Sequence, residues 1–354
     1  MRSLRPGLLA ATVGSLLLLS ACGDDAEPAT EAEDTGTAAA TEGGDADEPL
    51  VVYSGRDEEL VGPLLEQFED ESGRTVDVRY AGTTELAAQL LEEGDQTPAD
   101  VFLSQDAGAL GALASAGRLA ELPEEVTSAV APEYSSRDGS WVALTGRARV
   151  IAYDSQTYTE ADVPGDVQAL TDPQWRGQVA LAPTNASFQS FVTALRVSEG
   201  EEAARAWLEG LVANEAQIFD GNGAILEAVN TGAAGLGLIN HYYWAGYESD
   251  PTQLRVQLKF GDPGSVSALV NTSGVGVLTE AAGSEAALEL VDFLLGEEAQ
   301  TYFAEETAEY PLVDGVPGPQ GVPALADLGA PDLDLSQLES LEETVALLTG
   351  VGLI

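Results

Sequence analysis

Residues 50–103, LVVYSGRDEELVGPLLEQFEDESGRTVDVRYAGTTELAAQLLEEGDQTPADVFL, decide the fold. Three short apolar segments, at 50–53, 75–80 and 99–103, have the composition of buried strands. Between them, apolar residues recur at helical spacing, and Gly73 and Gly94 end the two helical segments. This β-α-β-α-β order predicts an α/β fold with a mostly parallel sheet covered by helices on both faces.

The same alternation continues along the chain. It predicts strands at 179–182, 235–239 and 274–278, and helices at 188–197, 201–211, 225–230, 284–295 and 299–306. Gly and Pro recur from 315 to 331, so loops are expected there before a final helix near 338–348. Ligands of such sheets bind beyond the carboxyl ends of the strands, here at 54–58, 81–84 and 104–106.

Charge and missing motifs exclude several classes of function. Sixty acidic residues against fourteen basic ones give a net charge of −46, which repels nucleic acid and anionic membranes. That charge could attract cations, but solubility is the simpler interpretation. The sequence has no GxSxG, phosphate-binding GxxxxGK[ST] or HExxH motif. Its single histidine, His241, excludes a multi-histidine metal centre, and nothing nearby supports a Ser-His-Asp triad. We therefore expect no enzyme.

The first residues predict export. Arg2 and Arg5 precede an apolar run that ends in Leu19-Ser20-Ala21-Cys22, as in a signal peptide over 1–21. These last four residues resemble the bacterial lipobox, which implies a lipidated Cys22 and a protein anchored by lipid alone to the outer face of the cell membrane. The alternative is an ordinary signal peptide with an incidental cysteine. Residues 22–48, rich in Asp, Glu, Ala and Thr, predict a disordered acidic stalk.

A cluster of aromatic residues, Asn240-His241-Tyr242-Tyr243-Trp244, directly follows a predicted strand. Aromatic side chains often gather at the ends of elements simply to pack, with a polar tip exposed. Adjacent side chains of a strand point to opposite faces. Both phenols can therefore reach one ligand only if the backbone leaves the strand at this point.

Residues 237–244, GLINHYYW, closely resemble the twin-tyrosine motif of bacterial ferric-ion-binding proteins, the solute receptors of iron(III) ABC importers. Further matching segments occur in the same order, at 52–58, 98–104, 141–150, 182–185, 262–264 and 309–312. The resemblance implies that Tyr242 and Tyr243 bind Fe³⁺. This agrees with the preference of a hard cation for oxygen ligands, and with its ability to lower the pKa of a phenol near 10 enough to bind phenolate.

Two expected partners of the tyrosines differ from the family pattern. Asp57 stands where many members have a histidine, and it could supply a carboxylate ligand or cap the first helix. Gln105 stands where the family often has a glutamate. It is a weak metal ligand and a better hydrogen-bond donor to a bound anion.

The resemblance also implies a synergistic anion, phosphate or carbonate, at a helix N-terminus. The matching residues are Thr184, Asn185, Ala186 and Ser187, with Asn222 and Asn240 as further contacts. Ordinary helix capping by Thr184, Asn185 or Ser187 is the alternative. Arg147 and Arg149 are expected to support the anion or to form salt bridges, and Arg56 is a weaker candidate.

The fold that the resemblance implies is a two-lobed, type II periplasmic-binding-protein-like fold with a ligand cleft between the lobes. Lobe one is expected to combine 49–147 with 271–325, lobe two to span 148–270, and 326–354 to form a C-terminal wrap and helix. Hinges are expected near 147–150 and 269–272.

The expected function is a monomeric receptor that delivers Fe³⁺ to the permease and ATPase of an ABC importer. The rivals are a receptor of the same fold for an organophosphonate, polyamine or sugar, and a surface adhesin or structural lipoprotein without a cleft.

Overall fold

The computed structural model describes residues 48–354, which belong to one compact unit. Cys22, the predicted signal peptide and all of the predicted stalk except Glu48 lie outside the described residues. Within 48–354, no helix combines the length and the apolar character needed to cross a bilayer.

Strands and helices alternate through most of this unit. The strands are β1 Leu50–Ser54, β2 Val76–Tyr80, β3 Val101–Ser104, β4 Val142–Asp154, β5 Val179–Leu181, β6 Gln217–Ile218, β7 Leu236–Asn240, β8 Val256–Phe260, β9 Val270–Val277 and β10 Tyr310–Pro311. The helices are α1 Glu58–Ser72, α2 Thr83–Glu93, α3 Ala107–Ser115, α4 Glu124–Thr127, α5 Ala186–Glu199, α6 Glu201–Ala213, α7 Asn222–Thr231, α8 Tyr242–Ala245, α9 Glu285–Leu295, α10 Glu297–Glu305 and α11 Leu341–Gly350.

The strands are ordered β2-β1-β3-β9-β4-β7-β5-β6, and β8 and β10 also pair with β4. Pairing is parallel at both flanks, where β1 lies beside β2 and β3 and where β5 lies beside β6 and β7. In the middle, β9 and β4 pair antiparallel with their neighbours. The predicted α/β fold with a large sheet is confirmed.

Strand β4 takes part in both portions of this sheet. Its residues 142–148 pair with β9 and β10, and its residues 149–154 pair with β7 and β8. We call β1, β2, β3, β9 and β10 the first strand set, and β5, β6, β7 and β8 the second. All thirteen residues of β4 are buried, as expected for a strand covered on both faces.

The first β-α-β-α-β unit is correctly predicted because its local signals agree with one another. Val61, Leu64, Leu65 and Phe68 give α1 one buried face, and Pro63 lies on its exposed side. The helix ends at Gly73, whose left-handed φ of 70° suits glycine and whose N–H donates to the carbonyl of Glu69.

Strand β9 begins earlier than the predicted 274–278. It begins at Val270, and the polar residues that follow, Asn271, Thr272 and Ser273, are all buried. Asn271 accepts the backbone N–H of Ala107 at 3.3 Å, and Ser273 shares a hydrogen bond of 2.6 Å with Thr145. Polar side chains at buried positions removed the apolar pattern on which the sequence prediction depended.

Strand β4 ends at an ion pair that gives a pH-dependent prediction. The Asp154 carboxylate accepts bonds of 2.6 Å from Nε and from Nη2 of Arg255. These bonds lower the pKa of Asp154 from 3.8 to about 2, although burial opposes them. The pair should therefore stabilise the fold fully above pH 3.8 and progressively less as the pH falls toward 2.

Urea unfolding of the parent and of Asp154→Asn across this pH range checks the prediction. The advantage of the parent in free energy of unfolding should shrink as the pH falls, and Arg255→Gln should show the same trend because it removes the same pair. A difference between parent and variant that stays constant with pH would contradict it.

Candidate metal centre

The two tyrosines follow the carboxyl end of β7, at a point where the backbone turns from strand to helix. Strand β7 ends at Asn240, His241 has helical backbone angles of φ −58° and ψ −36°, and α8 begins at Tyr242. Trp244 anchors the turn, because its indole N–H donates to the carbonyl of Val256 at 2.9 Å. The backbone therefore leaves the strand just before the two tyrosines, which is the condition for both phenols to reach one ligand.

The rings of Tyr242 and Tyr243 stack with centroids 4.5 Å apart and planes 28° apart. Tyr242 is only 6% exposed, and its hydroxyl has no hydrogen-bond partner among residues 48–354. Burial, followed by the neighbouring phenol of Tyr242, raises the pKa of Tyr243. Packing alone does not account for this pair, since an unpartnered buried hydroxyl lowers stability.

His241 lies beneath the tyrosines and is fully buried. Its Nδ1 accepts the N–H of Ala148 at 3.1 Å, and its ring stacks on Tyr310 at 4.5 Å. Burial lowers the pKa of His241 to about 4, so the ring is neutral at pH 7. Within residues 48–354, no three His, Cys, Asp or Glu side chains come together to hold a metal ion. A metal at this site depends on the phenols.

Arg147 is a buried cation with unused donors. It is 1% exposed, and none of its three guanidinium nitrogens has a hydrogen-bond partner in the described part of the chain. Its positive charge lowers the pKa of Tyr243 and that of Asp106. Burial has the larger effect on both groups and raises both pKa values. Arg147 is therefore a buried positive charge with donors available for an anionic group.

Arg149 is also buried, at 3% exposure, and its hydrogen bonds go to neutral groups. Its Nη1 donates to Ser187 Oγ and to Asn240 Oδ1, both at 3.3 Å, and its Nη2 donates to the carbonyl of Leu238 at 3.1 Å. Burial lowers the pKa of Arg149 to about 9, while Tyr242 and Tyr243 oppose that shift. Among residues 48–354, neither Arg149 nor Arg147 has a salt-bridge partner, which was the alternative for them.

Arg56, the weaker candidate, forms a buried ion pair. Its Nη1 lies 2.8 Å from Glu309 Oε1, and its Nη2 lies 3.0 Å from Glu309 Oε2. Glu309 is fully buried and also accepts a bond of 2.7 Å from Thr145. The charge of Arg56 is therefore already neutralised. Glu309 lies in the matching segment 309–312, but nothing in the sequence indicates its pairing with Arg56.

Five of the residues predicted for the anion form one hydrogen-bonded network around the starts of α5 and α7, namely Arg149, Asn185, Ser187, Asn222 and Asn240. Asn185 caps α5: its Oδ1 accepts the N–H of Ser187 at 3.1 Å and the Nδ2–H of Asn222 at 3.2 Å. Asn222 is buried, and its Oδ1 has no partner among the described residues. The alternative prediction, that this residue caps a helix, is therefore correct for Asn185. Arg149 joins the network through Ser187 and Asn240.

The predicted partners of the tyrosines, Asp57 and Gln105, follow strands β1 and β3 of the first set. Asp57 occupies the N-cap position of α1 and is exposed, but its side chain makes no capping hydrogen bond. Its charge is one of the smaller causes that raise the pKa of Tyr243. Gln105 is half-buried, and its backbone N–H donates to Thr83 Oγ1 at 3.1 Å.

A cleft of about 1210 Å³ lies beside these groups, and Tyr242 and Tyr243 are not among the residues that line it. Asp57 and Gln105 line one wall, and Thr184, Asn185 and Ala186 line the other. Two strand sets joined through β4, with a cleft whose two walls carry polar loops at the ends of strands, define a periplasmic-binding-protein-like solute receptor.

Comparison with known proteins agrees with this class. The pattern of the family described as bacterial extracellular solute-binding protein matches residues 96–332, and the chain belongs to this family. It is 33% identical to the Fe(3+)-binding periplasmic protein of Serratia marcescens over 87% of this chain and 92% of the relative. It is also 33% identical to the major ferric iron-binding protein of Neisseria meningitidis serogroup B, over 86% and 93% respectively.

Solved structures show the same likeness. Iron-bound HitA from Pseudomonas aeruginosa superposes with a TM-score of 0.81 at 34% identity, covering 86% of this chain and 99% of that one. Trichodesmium FutA in complex with iron and citrate gives a TM-score of 0.71 at 26% identity, with coverage of 86% and 99%.

Proposed function

We propose that this chain is a receptor that captures Fe³⁺ with the phenolates of Tyr242 and Tyr243 for delivery to an importer. The observation that carries the proposal is the stacked tyrosine pair, with one buried and unpartnered hydroxyl, on the helical turn after β7. The names of its relatives from Serratia and Neisseria support the same cargo.

The electrostatics around the pair support phenolate binding. A ferric ion favours hard oxygen ligands and displaces the phenol protons on binding. Each phenolate adds a negative charge beside Arg147 and Arg149, two buried cations that make no ion pair in the described part of the chain. Binding of the ferric ion therefore gives these two guanidiniums the negative counter-charge that they do not have when the site is empty.

The remaining ligands come from both walls of the cleft. Asp57 contributes a carboxylate to the metal, and Gln105 contacts the metal or donates to the anion. The anion, phosphate or carbonate, lies at the start of α5 against Thr184, Asn185, Ala186 and Ser187. Asn222, Asn240, Arg147 and Arg149 support it. The free N–H groups and dipole of α5 favour negative charge there.

The two walls belong to two lobes that close by hinge motion. Lobe one combines 49–147 with 271–325 and lobe two spans 148–270, so that the chain crosses between the lobes within β4 and at the start of β9. Closure distinguishes loaded from empty receptor for the permease and ATPase of an ABC importer. The receptor works as a monomer, anchored outside the cell membrane through a lipid on Cys22.

The fold by itself does not determine the cargo. The periplasmic binding protein AfuA from Actinobacillus pleuropneumoniae, with exogenous fructose-6-phosphate bound, has a TM-score of 0.71 at 17% identity. The discriminating test is to add ferric citrate to the purified protein and record the visible spectrum. Ferric phenolate gives a charge-transfer band, and a protein that stays colourless with ferric ion supplied would overturn the proposal.

The contribution of Asp57 gives a second prediction. Asp57→Asn keeps the size of the side chain but removes its negative charge, so the affinity for Fe³⁺ should fall by about 10- to 100-fold or more, as on loss of a supporting group. Competition with citrate, followed by visible absorbance, measures the change. Glu58→Gln, which removes the adjacent exposed charge, is the matched control, and equal losses in both variants would show that only overall charge matters.

A further inference from the structure

Two loops on one wall of the cleft begin with the same kind of turn. Ser54 is the last residue of β1, and its hydroxyl donates to the carbonyl of Arg56 at 2.9 Å and accepts the N–H of Arg56 at 3.2 Å. Ser104, the last residue of β3, makes the same two bonds with Asp106, at 2.7 Å and 3.2 Å. Both serines are fully buried. Each hydroxyl therefore fixes a tight turn directly after its strand.

The hydroxyl of Thr83 joins the middle residues of these two turns, Gly55 and Gln105. Thr83 is the first residue of α2 and is only 3% exposed. Its Oγ1 donates to the carbonyl of Gly55 at 3.0 Å and accepts the backbone N–H of Gln105 at 3.1 Å. One hydroxyl therefore links the loop after β1 to the loop after β3.

The link requires glycine at position 55. A Cβ added to Gly55 would overlap Oγ1 of Thr83 and would lie 2.8 Å from the Cα of Thr83. Because that Cα belongs to the backbone, a rotation of the threonine side chain could not relieve the clash. The close approach of Thr83 to the first loop therefore depends on the missing side chain of Gly55.

The two linked loops carry the predicted partners of the tyrosines. Gln105 is the middle residue of the second turn, and Asp57 directly follows the first turn. Gly55, Asp57, Thr83 and Gln105 all line the cleft. The side chain of Asp57 makes no capping hydrogen bond, so the position of its carboxylate depends on the backbone that bears it. The spacing between Asp57 and Gln105 is therefore set where Thr83 joins the two loops.

We propose that Thr83 is a positioning residue, which holds Asp57 and Gln105 at the spacing that a bound ferric ion and its anion require. Its single O–H is donated to Gly55, so the hydroxyl acts on the cargo through the two loops. Supporting groups of this kind orient the direct ligands of a metal. The effect on affinity rests on the proposed ferric function, whereas the link between the loops does not.

Thr83→Val keeps the shape of the side chain and removes the link. Citrate competition should show that the affinity for Fe³⁺ falls by about tenfold or more, as on loss of a supporting group. The charge-transfer band should keep its wavelength, because both tyrosines remain. Thr83→Ser restores the hydroxyl and should bind like the parent. Gly55→Ala displaces Thr83 and should lose affinity as Thr83→Val does.

Thr97→Val is the matched control. Thr97 is also buried, and its hydroxyl donates to Glu93 at 2.9 Å and accepts the N–H of Ala99 at 3.2 Å, but it does not line the cleft. Each valine variant loses one buried hydroxyl, so both should unfold at lower urea concentration, and only Thr83→Val should lose affinity. Equal losses of affinity in the two variants, or parent affinity in Thr83→Val, would overturn the positioning role.

Amide hydrogen exchange tests the link without iron. The N–H of Gln105 should exchange about fivefold faster or more in Thr83→Val, the factor that one typical hydrogen bond supplies. Exchange at the parent rate would overturn the link. A parent chain that binds no ferric ion would overturn the proposed cargo and the positioning role with it, whereas faster exchange at Gln105 would still support the link.

Discussion

The double variant Tyr242→Phe/Tyr243→Phe should lose more than about a thousandfold in affinity for Fe³⁺, and it should stay colourless in ferric citrate. Loss of a single outer-shell partner of a metal site costs about 10- to 100-fold, so removal of two direct oxygen ligands costs far more. The phenyl rings retain the stacking that fills this part of the structure. The hydroxyl of Tyr242 has no hydrogen-bond partner among the described residues, so its removal should not lower stability.

Tyr247→Phe is the matched control for this experiment. Tyr247 follows the same helical turn, but its hydroxyl is exposed and donates to Glu227 at 2.8 Å. Affinity and colour should equal those of the parent. A double tyrosine variant that keeps the charge-transfer band would assign the colour, and hence the metal, to other residues. A thermal unfolding curve like that of the parent should accompany the loss of binding.

Glu309→Gln should lower the free energy of unfolding by about 3–5 kcal/mol, the usual result of removing one partner from a buried ion pair. Glu309 is fully buried, holds Arg56 through both carboxylate oxygens and accepts a bond from Thr145. The neutral amide leaves the Arg56 guanidinium, 4% exposed, without a counter-charge. Urea unfolding at neutral pH measures the loss.

Glu289→Gln provides the comparison. It breaks the ion pair with Arg74, which is also short at 2.6 Å but lies on the surface, and such pairs contribute up to about 1 kcal/mol. Similar losses in the two variants would mean that burial does not set the strength of the Arg56–Glu309 pair. A Glu309→Gln chain as stable as the parent would mean that this pair is dispensable.

The parts of the fold predicted best from sequence are those in which neighbouring residues carry all the information. The β1 to β3 unit has apolar strands, a helical repeat and a glycine stop within a few residues of one another. The start of β9 was missed because its buried residues are polar, and only the folded sheet provides their partners. Strand β8 was also missed, since its residues after Val256 are only half-buried.

The residues of the site also differ in how well the sequence predicts them. Tyr242 and Tyr243 are adjacent in sequence, so their pairing could be predicted, and the helical angles of His241 explain how they share one side. Arg56 and Glu309 are 253 residues apart, and no local pattern indicates that they meet. The interpretation of Arg147 and Arg149 left salt bridges open, because burial without an acidic partner is visible only in three dimensions.

The position of β9 has a consequence for how the chain folds. It lies between β3 and β4, with Val101 opposite Val277, so the first strand set stays incomplete until residues far along the chain arrive. Within each of the groups β1 to β3 and β5 to β7, the strands are close in sequence and can pair early. Early pairing there shortens the loop that β9 must close, and contacts distant in sequence slow folding. We therefore expect insertion of β9 to be the late, rate-limiting step of refolding, with β9 protected from hydrogen exchange after β1, β2 and β3.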